Sequence, residues 1–170
     1  MSHFTAIAIT RQTSLNGFEA EAEIEKLLEP FNEHTRTAPY PDTCLCTEIE
    51  GIAKSTGTDY GAKGEPLASC DECEGLGTVL ATYNPASKYD WYQIGGRWAA
   101  DLPDTILQVK DLPADFTTHA FITPHWEWKQ KGRMGWWATV TEENDNYEQE
   151  WKDARKLYGD NVAVLLDCHI

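Results

Sequence analysis

The spacing of apolar positions changes several times along the chain, and each change predicts an element. Phe4 to Thr10 is a short apolar and β-branched run, the pattern of a strand. In Asn16-Gly-Phe-Glu19, Asn16 is placed to cap a helix and Glu19 to return the bond. Ala20, Ile24, Leu27, Leu28 and Phe31 then recur at helical spacing, while Glu19, Glu21, Glu23 and Glu25 fall largely elsewhere. One face of that helix is core and the other is wet, and Pro30 ends or kinks it. From about 35 to 81, Pro39, Pro41, Pro66 and repeated glycines interrupt any period, which predicts a loop-rich insertion. Thr117 to Thr123 and Met134 to Thr141 read as strands. Asp145 or Asn146 then caps a helix whose stripe is Tyr147, Trp151, Ala154 and Tyr158 and whose stop is Gly159; Val162 to Asp167 is a last strand. This order predicts an α+β sandwich of the ferredoxin-like, split βαβ type, with both helices on one face of an antiparallel sheet. Residues 1–170 form one domain in this reading, with 35–81 as an insertion within it.

Composition narrows the function classes. With 41% hydrophobic residues over 170 positions, the chain has enough apolar surface for one packed core. No apolar run is long enough to cross a bilayer. Met1 to Thr10 lacks the cationic start and long apolar run of a secretory signal, so the expected compartment is the cytoplasm. Acids outnumber bases 28 to 14, a formal charge of -14, so no basic stripe is present to displace counterions from a nucleic-acid backbone. Direct nucleic-acid binding is therefore disfavoured. The run Glu142, Glu143, Asp145, Glu148 and Glu150 reads as a solvated helix start; a sharper reading makes it an acidic face that mimics nucleic acid in a partner's basic groove.

Four of the five cysteines form two close pairs, Cys44-Leu-Cys46 and Cys70-Asp-Glu-Cys73, the second followed by Glu74-Gly75-Leu76-Gly77. Two disulfides are one reading of such pairs. In a reducing compartment clustered thiols favour a metal, and this spacing suits a tetrahedral thiolate zinc knuckle with Cys44, Cys46, Cys70 and Cys73 as ligands. Four thiolates leave no position for a reacting water, so Zn²⁺ would be structural.

Six of the seven tryptophans lie between Trp91 and Trp137. They fall in two blocks, Asn84-Pro-Ala-Ser-Lys-Tyr-Asp-Trp-Tyr-Gln-Ile-Gly-Gly-Arg-Trp98 and Pro124 to Trp137, the latter containing Lys131-Gly-Arg-Met-Gly-Trp-Trp137. Together with the ending Leu165-Leu-Asp-Cys-His-Ile170, these blocks resemble a family of phage and prophage proteins. The Cys-x-x-Cys-x-Gly-x-Gly element also resembles half of a DnaJ co-chaperone zinc repeat; it occurs once, so chaperone function does not transfer. The family resemblance implies a phage-encoded accessory protein acting in the host cytoplasm, and it brings no defined activity with it.

The residues allow two readings of the aromatic region. As a binding site, Asp90, Trp91, Tyr92, Gly95, Gly96, Arg97, Trp98 and the later Lys131 would line one pocket. The glycines would admit a ligand close to the backbone, Arg97 would fork onto a carboxylate or phosphate, and Trp91 or Trp98 would stack. As structure, Asp90 and Arg97 would pair and the glycines would form a tight turn between strands. For catalysis the strongest candidate is Asp167-Cys168-His169. Neighbours on a strand face opposite ways, so any dyad needs a partner such as His3 or His119; the alternative is a buried thiol beside a surface histidine. Acidity and clustered tryptophans together suggest a zinc-stabilised protein that binds a host protein, as an inhibitor or counter-defence factor. The alternative is a nucleotide-binding or sequestering protein, or a hydrolase, using Asp90, Arg97 and Lys131.

Overall fold

The computed structural model describes residues 2–44, 46, 70–134 and 140–170. They fall into two compact units, one formed by Met1–Thr35 with Asn84–Ile170 and the other by Arg36–Tyr83. Among the described residues, the six-stranded sheet, a small two-stranded sheet and two α-helices belong to the first unit.

Its centre is a strand pair. β1 (His3–Ile9) and β10 (Val162–His169) run antiparallel, with His3 opposite His169 and Ile9 opposite Ala163. On the far side of β10 lie β4 (Trp91–Ile94) and β5 (Ile106–Gln108), both antiparallel to it. On the far side of β1 lies β6 (Ala120–Ile122), parallel to it, and then β7 (Trp128–Gln130), antiparallel to β6.

All eight residues of β10 are buried. A half-exposed strand alternates apolar and polar side chains, whereas a strand covered on both faces is apolar throughout. Val162, Val164, Leu166 and Cys168 pack with Phe4, Ala6 and Ala8 against α1 (Gly17–Leu28), through its Ala20, Ile24, Leu27 and Leu28. Ala163 and Leu165 pack with Ile7, Ile9 and Phe121 against α2 (Tyr147–Leu157), through Tyr147, Trp151 and Ala154. The α+β class is therefore as expected, but the arrangement differs from the ferredoxin-like split βαβ. The helices cover opposite faces, and β1 and β6 are direct parallel neighbours instead of flanking an antiparallel strand. The reason is the two-faced apolar pattern of β1 and β10, which requires a cover on each side.

The local expectations fare better. Asn16 and Glu19 form a reciprocal capping box at the start of α1, and the helix gives way at Pro30 to a single 3-10 turn. Of the strand expected over Met134 to Thr141 only the two ends are described. β8 (Arg133–Met134) and β9 (Val140–Thr141) pair with each other antiparallel. Trp136 and Trp137 lie outside the described residues.

The second unit contains a hairpin of β2 (Tyr40–Thr43) and β3 (Thr78–Ala81), in antiparallel register from Tyr40 opposite Ala81 to Thr43 opposite Thr78. Its cysteine cluster lies just beyond the Thr43–Thr78 end of that ladder, where Cys44 N–H donates to the Gly77 carbonyl at 2.9 Å. This unit, Arg36–Tyr83, covers nearly the same span as the insertion expected at 35–81. The Asn84 to Trp98 block belongs to the sheet unit, where the Asn84 amide donates to the carbonyls of Pro30 and Asn32 at 2.7 and 2.9 Å.

Candidate functional site

Strand register brings together residues that are far apart in the chain. His169 on β10 lies between His3 on β1 and Trp91 on β4 as cross-strand partners, and Asp167 is two residues before it on the same face. The His3 and His169 rings meet edge to face with centroids 4.8 Å apart. Trp91 stacks on His169 at 5.0 Å and an interplanar angle of 17°, and His3 meets the edge of the same indole system at 5.3 Å.

Each imidazole has a carboxylate of its own. His3 Nδ1 lies 2.8 Å from Asp167 Oδ1. His169 Nδ1 lies 2.7 and 2.8 Å from the two oxygens of Asp90, whose backbone N–H donates to the His169 carbonyl. A carboxylate accepts, so Nδ1 carries the proton in both rings and Nε2 is left as the chemically variable edge. Among the described residues no hydrogen bond reaches either Nε2, and the His3 side chain is 14% exposed. The ring of His169 is nonetheless 95% covered, its side chain being only 5% exposed, so its orientation is held by packing as well as by Asp90.

Arg97 completes the cluster. Its backbone N–H donates to Asp167 Oδ2 at 3.1 Å and its Nε lies 3.4 Å from the same oxygen, while the guanidinium is half exposed. The approach depends on Gly96, at φ +51°: a Cβ there would sit 2.4 Å from Asp167 Cβ. Gly95, at φ +68°, begins the 3-10 turn over Gly96–Asp101. Burial alone would raise the Asp167 carboxyl, but the His3 ring, the Arg97 amide and the Arg97 charge outweigh it and hold the group below the usual carboxylate value.

Of the residues expected to share a pocket, Asp90, Trp91, Gly96 and Arg97 converge here, with Gly95 shaping the turn. Tyr92 faces the other side of the sheet, where with Tyr89 it lines a groove of about 430 Å³ beside Glu25 and Glu29. Trp98 packs against the α2 core. Lys131 follows β7 at the opposite edge of the sheet, over the Tyr147 ring and 3.6 Å from Glu148, so it is not part of this site.

The C-terminal triplet divides. Cys168 is fully buried on the α1 face and burial pushes its thiol far above the ordinary value, which makes it a core residue. Asp167 and His169 enter the cluster, with His3 as the partner residue. His119 packs edge-on to Phe4 instead, with Nε2 buried and without a partner, and burial lowers its pKa. The sequence reading named His3 only as a helper for a thiol. The missed signal is that Asp167 and His169, two apart on a strand, share a face that excludes Cys168.

A second cluster lies in the other unit. The sulfurs of Cys44, Cys46, Cys70 and Cys73 are all within 4.8 Å of one another, with Cys44 to Cys70 at 3.7 Å and Cys46 to Cys73 at 3.6 Å. Thiolates about 2.3 Å from a tetrahedral zinc would stand roughly 3.8 Å apart, so the quartet has the dimensions to hold a metal ion. The amides of Cys73 and Glu72 point at Cys70 and pull its thiol down to about 7. A tight turn makes this possible, with Glu74, Gly75 and Gly77 at φ 51°, 81° and 73° and Leu76 N–H donating to the Cys73 carbonyl.

Comparison with family models, curated proteins and solved structures gives no match. Function must therefore be read from the two clusters. No helix among the described residues is long and apolar enough to cross a membrane.

Proposed function

We propose that this chain recognises and acts on a nucleotide-like phosphate ester at the His3, His169, Asp90, Asp167, Arg97 and Trp91 cluster, while zinc on the cysteine quartet holds residues 36–83 together. The observation that carries this reading is the pair of imidazoles, each fixed at Nδ1 by its own carboxylate with Nε2 unclaimed. Buried polar groups serving structure alone normally have their partners within the protein. Two neighbouring rings that each leave Nε2 without a partner among the described residues are instead arranged to bind or to move protons. Arg97 supplies a fork for phosphate, and Trp91, 44% exposed, supplies a face on which a base can stack.

The host-protein reading rests on acidity and clustered tryptophans together. Among the described residues the clustered tryptophans take separate places: Trp128 donates to Gln130 and packs on Phe4 and Phe31, Trp126 lies under the Arg11 guanidinium, and Trp98 lies against the α2 core. The nucleotide reading, with Lys131 removed from it, has an assembled site behind it. Titration of the full chain with nucleoside monophosphates and dinucleotides, followed by the imidazole ¹⁵N resonances, tests the proposal. A nucleotide should shift the Nε2 signals of His3 and His169, and Arg97→Ala should weaken its binding by about tenfold or more, as expected for a lost charge-assisted bond. Unmoved Nε2 signals across the panel at millimolar ligand would overturn the reading.

A further inference from the structure

Resting on that proposal, we infer that the substrate is a short ribonucleotide phosphodiester and that His3 and His169 are catalytic residues that drive attack of its 2′-hydroxyl on the adjacent phosphorus.

Charge selects a diester. Within the cluster the only fixed cation is Arg97, set against the two carboxylates of Asp90 and Asp167. A phosphodiester carries one negative charge, which one guanidinium can match, whereas a phosphomonoester or triphosphate would bring more. The formal charge of -14 over the chain adds a second restriction, since it repels long polyanions and leaves a dinucleotide or small cyclic oligonucleotide as the better fit.

Geometry selects the reaction. Displacement at phosphorus between two alcohols requires opposite proton transfers at once: a base to relieve the attacking hydroxyl and an acid to protonate the departing oxygen. Imidazole can serve in either form, and here two of them meet with ring centroids 4.8 Å apart, each bonded at Nδ1 and without a partner at Nε2 among the described residues. No protein nucleophile competes from β10, because Cys168 lies on the opposite face of the sheet. The 2′-hydroxyl is already tethered next to the phosphorus, an arrangement with a large effective-concentration advantage over a second molecule.

In this step the bond from the 2′-oxygen to phosphorus forms as the bond from phosphorus to the 5′-oxygen breaks. One Nε2 takes the 2′-hydroxyl proton, and the other gives its proton to the leaving 5′-oxygen. The products are a 2′,3′-cyclic phosphate and a free 5′-hydroxyl, with no change of oxidation state. Solvent then returns both rings to their starting forms. Asp90 and Asp167 act as positioning residues, holding Nδ1 protonated so that Nε2 does the proton transfer.

The test is incubation of the zinc-loaded full chain with the dinucleotide UpA and with its 2′-deoxy counterpart, read by ³¹P NMR and chromatography. The expected result is a 2′,3′-cyclic phosphate and free adenosine from UpA, with the deoxy compound bound but intact. His3→Asn and His169→Asn keep an amide donor for Asp167 and Asp90 but have no Nε2. Each should lower turnover by about 10²- to 10⁴-fold, with thermal midpoint and zinc content close to those of the parent. Binding of UpA without cleavage would overturn this inference and leave the nucleotide-binding proposal standing, and so would equal cleavage of the deoxy compound. Failure of UpA and every other nucleotide to bind would instead remove the proposal beneath it. An asparagine variant that folds, binds zinc and cleaves at the parent rate would exclude the imidazoles as catalysts.

Discussion

The two clusters are built in opposite ways. The cysteine quartet draws on two short segments, Cys44 to Cys46 and Cys70 to Cys73, and brings all its donors to one point. The imidazole cluster draws on residues at positions 3, 90, 91, 97, 167 and 169, held by four-way register among β1, β10, β4 and the turn after it. One is a set of four thiols close enough together to hold a metal ion. The other leaves Nε2 of each ring without a partner among the described residues and relies on a finished core for its geometry. A saturated site can staple a fold, whereas chemistry needs a site that the fold completes but does not consume.

The contrast has testable edges, and the largest concerns the metal. The purified chain should contain about one zinc, and its removal by a strong chelator should cost the 36–83 unit on the order of 10 kcal/mol, the scale of structural zinc in small domains. Amide signals from the sheet unit, including His3 and His169, should persist. Loss of both sets together would show that the clusters are not independent in stability, and mass spectrometry finding two disulfides in place of metal would remove the zinc reading.

Next in size is Gly96→Ala. The added methyl meets Asp167 at 2.4 Å in a backbone conformation that side chains avoid, so a loss of roughly 2–4 kcal/mol is expected from strain and clash together. Zinc content should not change. Calorimetric unfolding and nucleotide titration of the same sample separate the two effects, and a variant with parental stability and affinity would contradict the described approach of the turn to Asp167.

The smallest expected effect is in acid. His119 has its pKa lowered by burial, so the folded state disfavours its protonation, and stability should begin to fall as pH drops below the ordinary imidazole value of about 6.5. Asp167 has its pKa held down in the folded state. Its contribution is complete above the ordinary carboxylate value and is lost only as pH falls through the lower folded value. Thermal midpoints from pH 7 to 3 should therefore show two stages. His119→Leu should flatten the upper one and Asp167→Asn the lower one, without either altering zinc content; a single stage insensitive to both would break the assignment.

Much of this was readable from residue order, and the limits follow from physical range. The capping box of Asn16 and Glu19, the α2 stripe through Tyr147, Trp151 and Ala154, and the grouping of the cysteines all depend on neighbours within a few residues or on short spacings. Helical period told which side of each helix is apolar, but not which side of the sheet it covers, so the helices were expected on one face. The buried period of β10 held that information: with Val162, Val164 and Leu166 on one side and Ala163 and Leu165 on the other, a one-sided sandwich leaves apolar surface uncovered. Asp90 and Arg97 lie in one local block and were readily grouped. Pairing His3 with Asp167 and His169 with Asp90 required the register of β1 on β10 and of β10 on β4, which no local pattern contains. Lys131 was misplaced for the same reason, since proximity to tryptophans in the chain says nothing about which sheet edge a residue reaches.

The pairing of β1 with β10 also sets a timetable. His3 and Asp167 are separated by 164 positions, so at a synthesis rate of about 5–20 residues per second β1 leaves the ribosome on the order of ten seconds before its main partner exists. Through that interval Phe4-Thr-Ala-Ile-Ala-Ile9 is an apolar strand with a free edge, the kind of segment that invites mispairing and chaperone capture. The sheet closes late, around contacts with the highest loop-closure cost in the chain. Appearance of the paired imidazoles is thus a clock for the end of folding, and a nascent or partly unfolded chain would carry no functioning copy of the site.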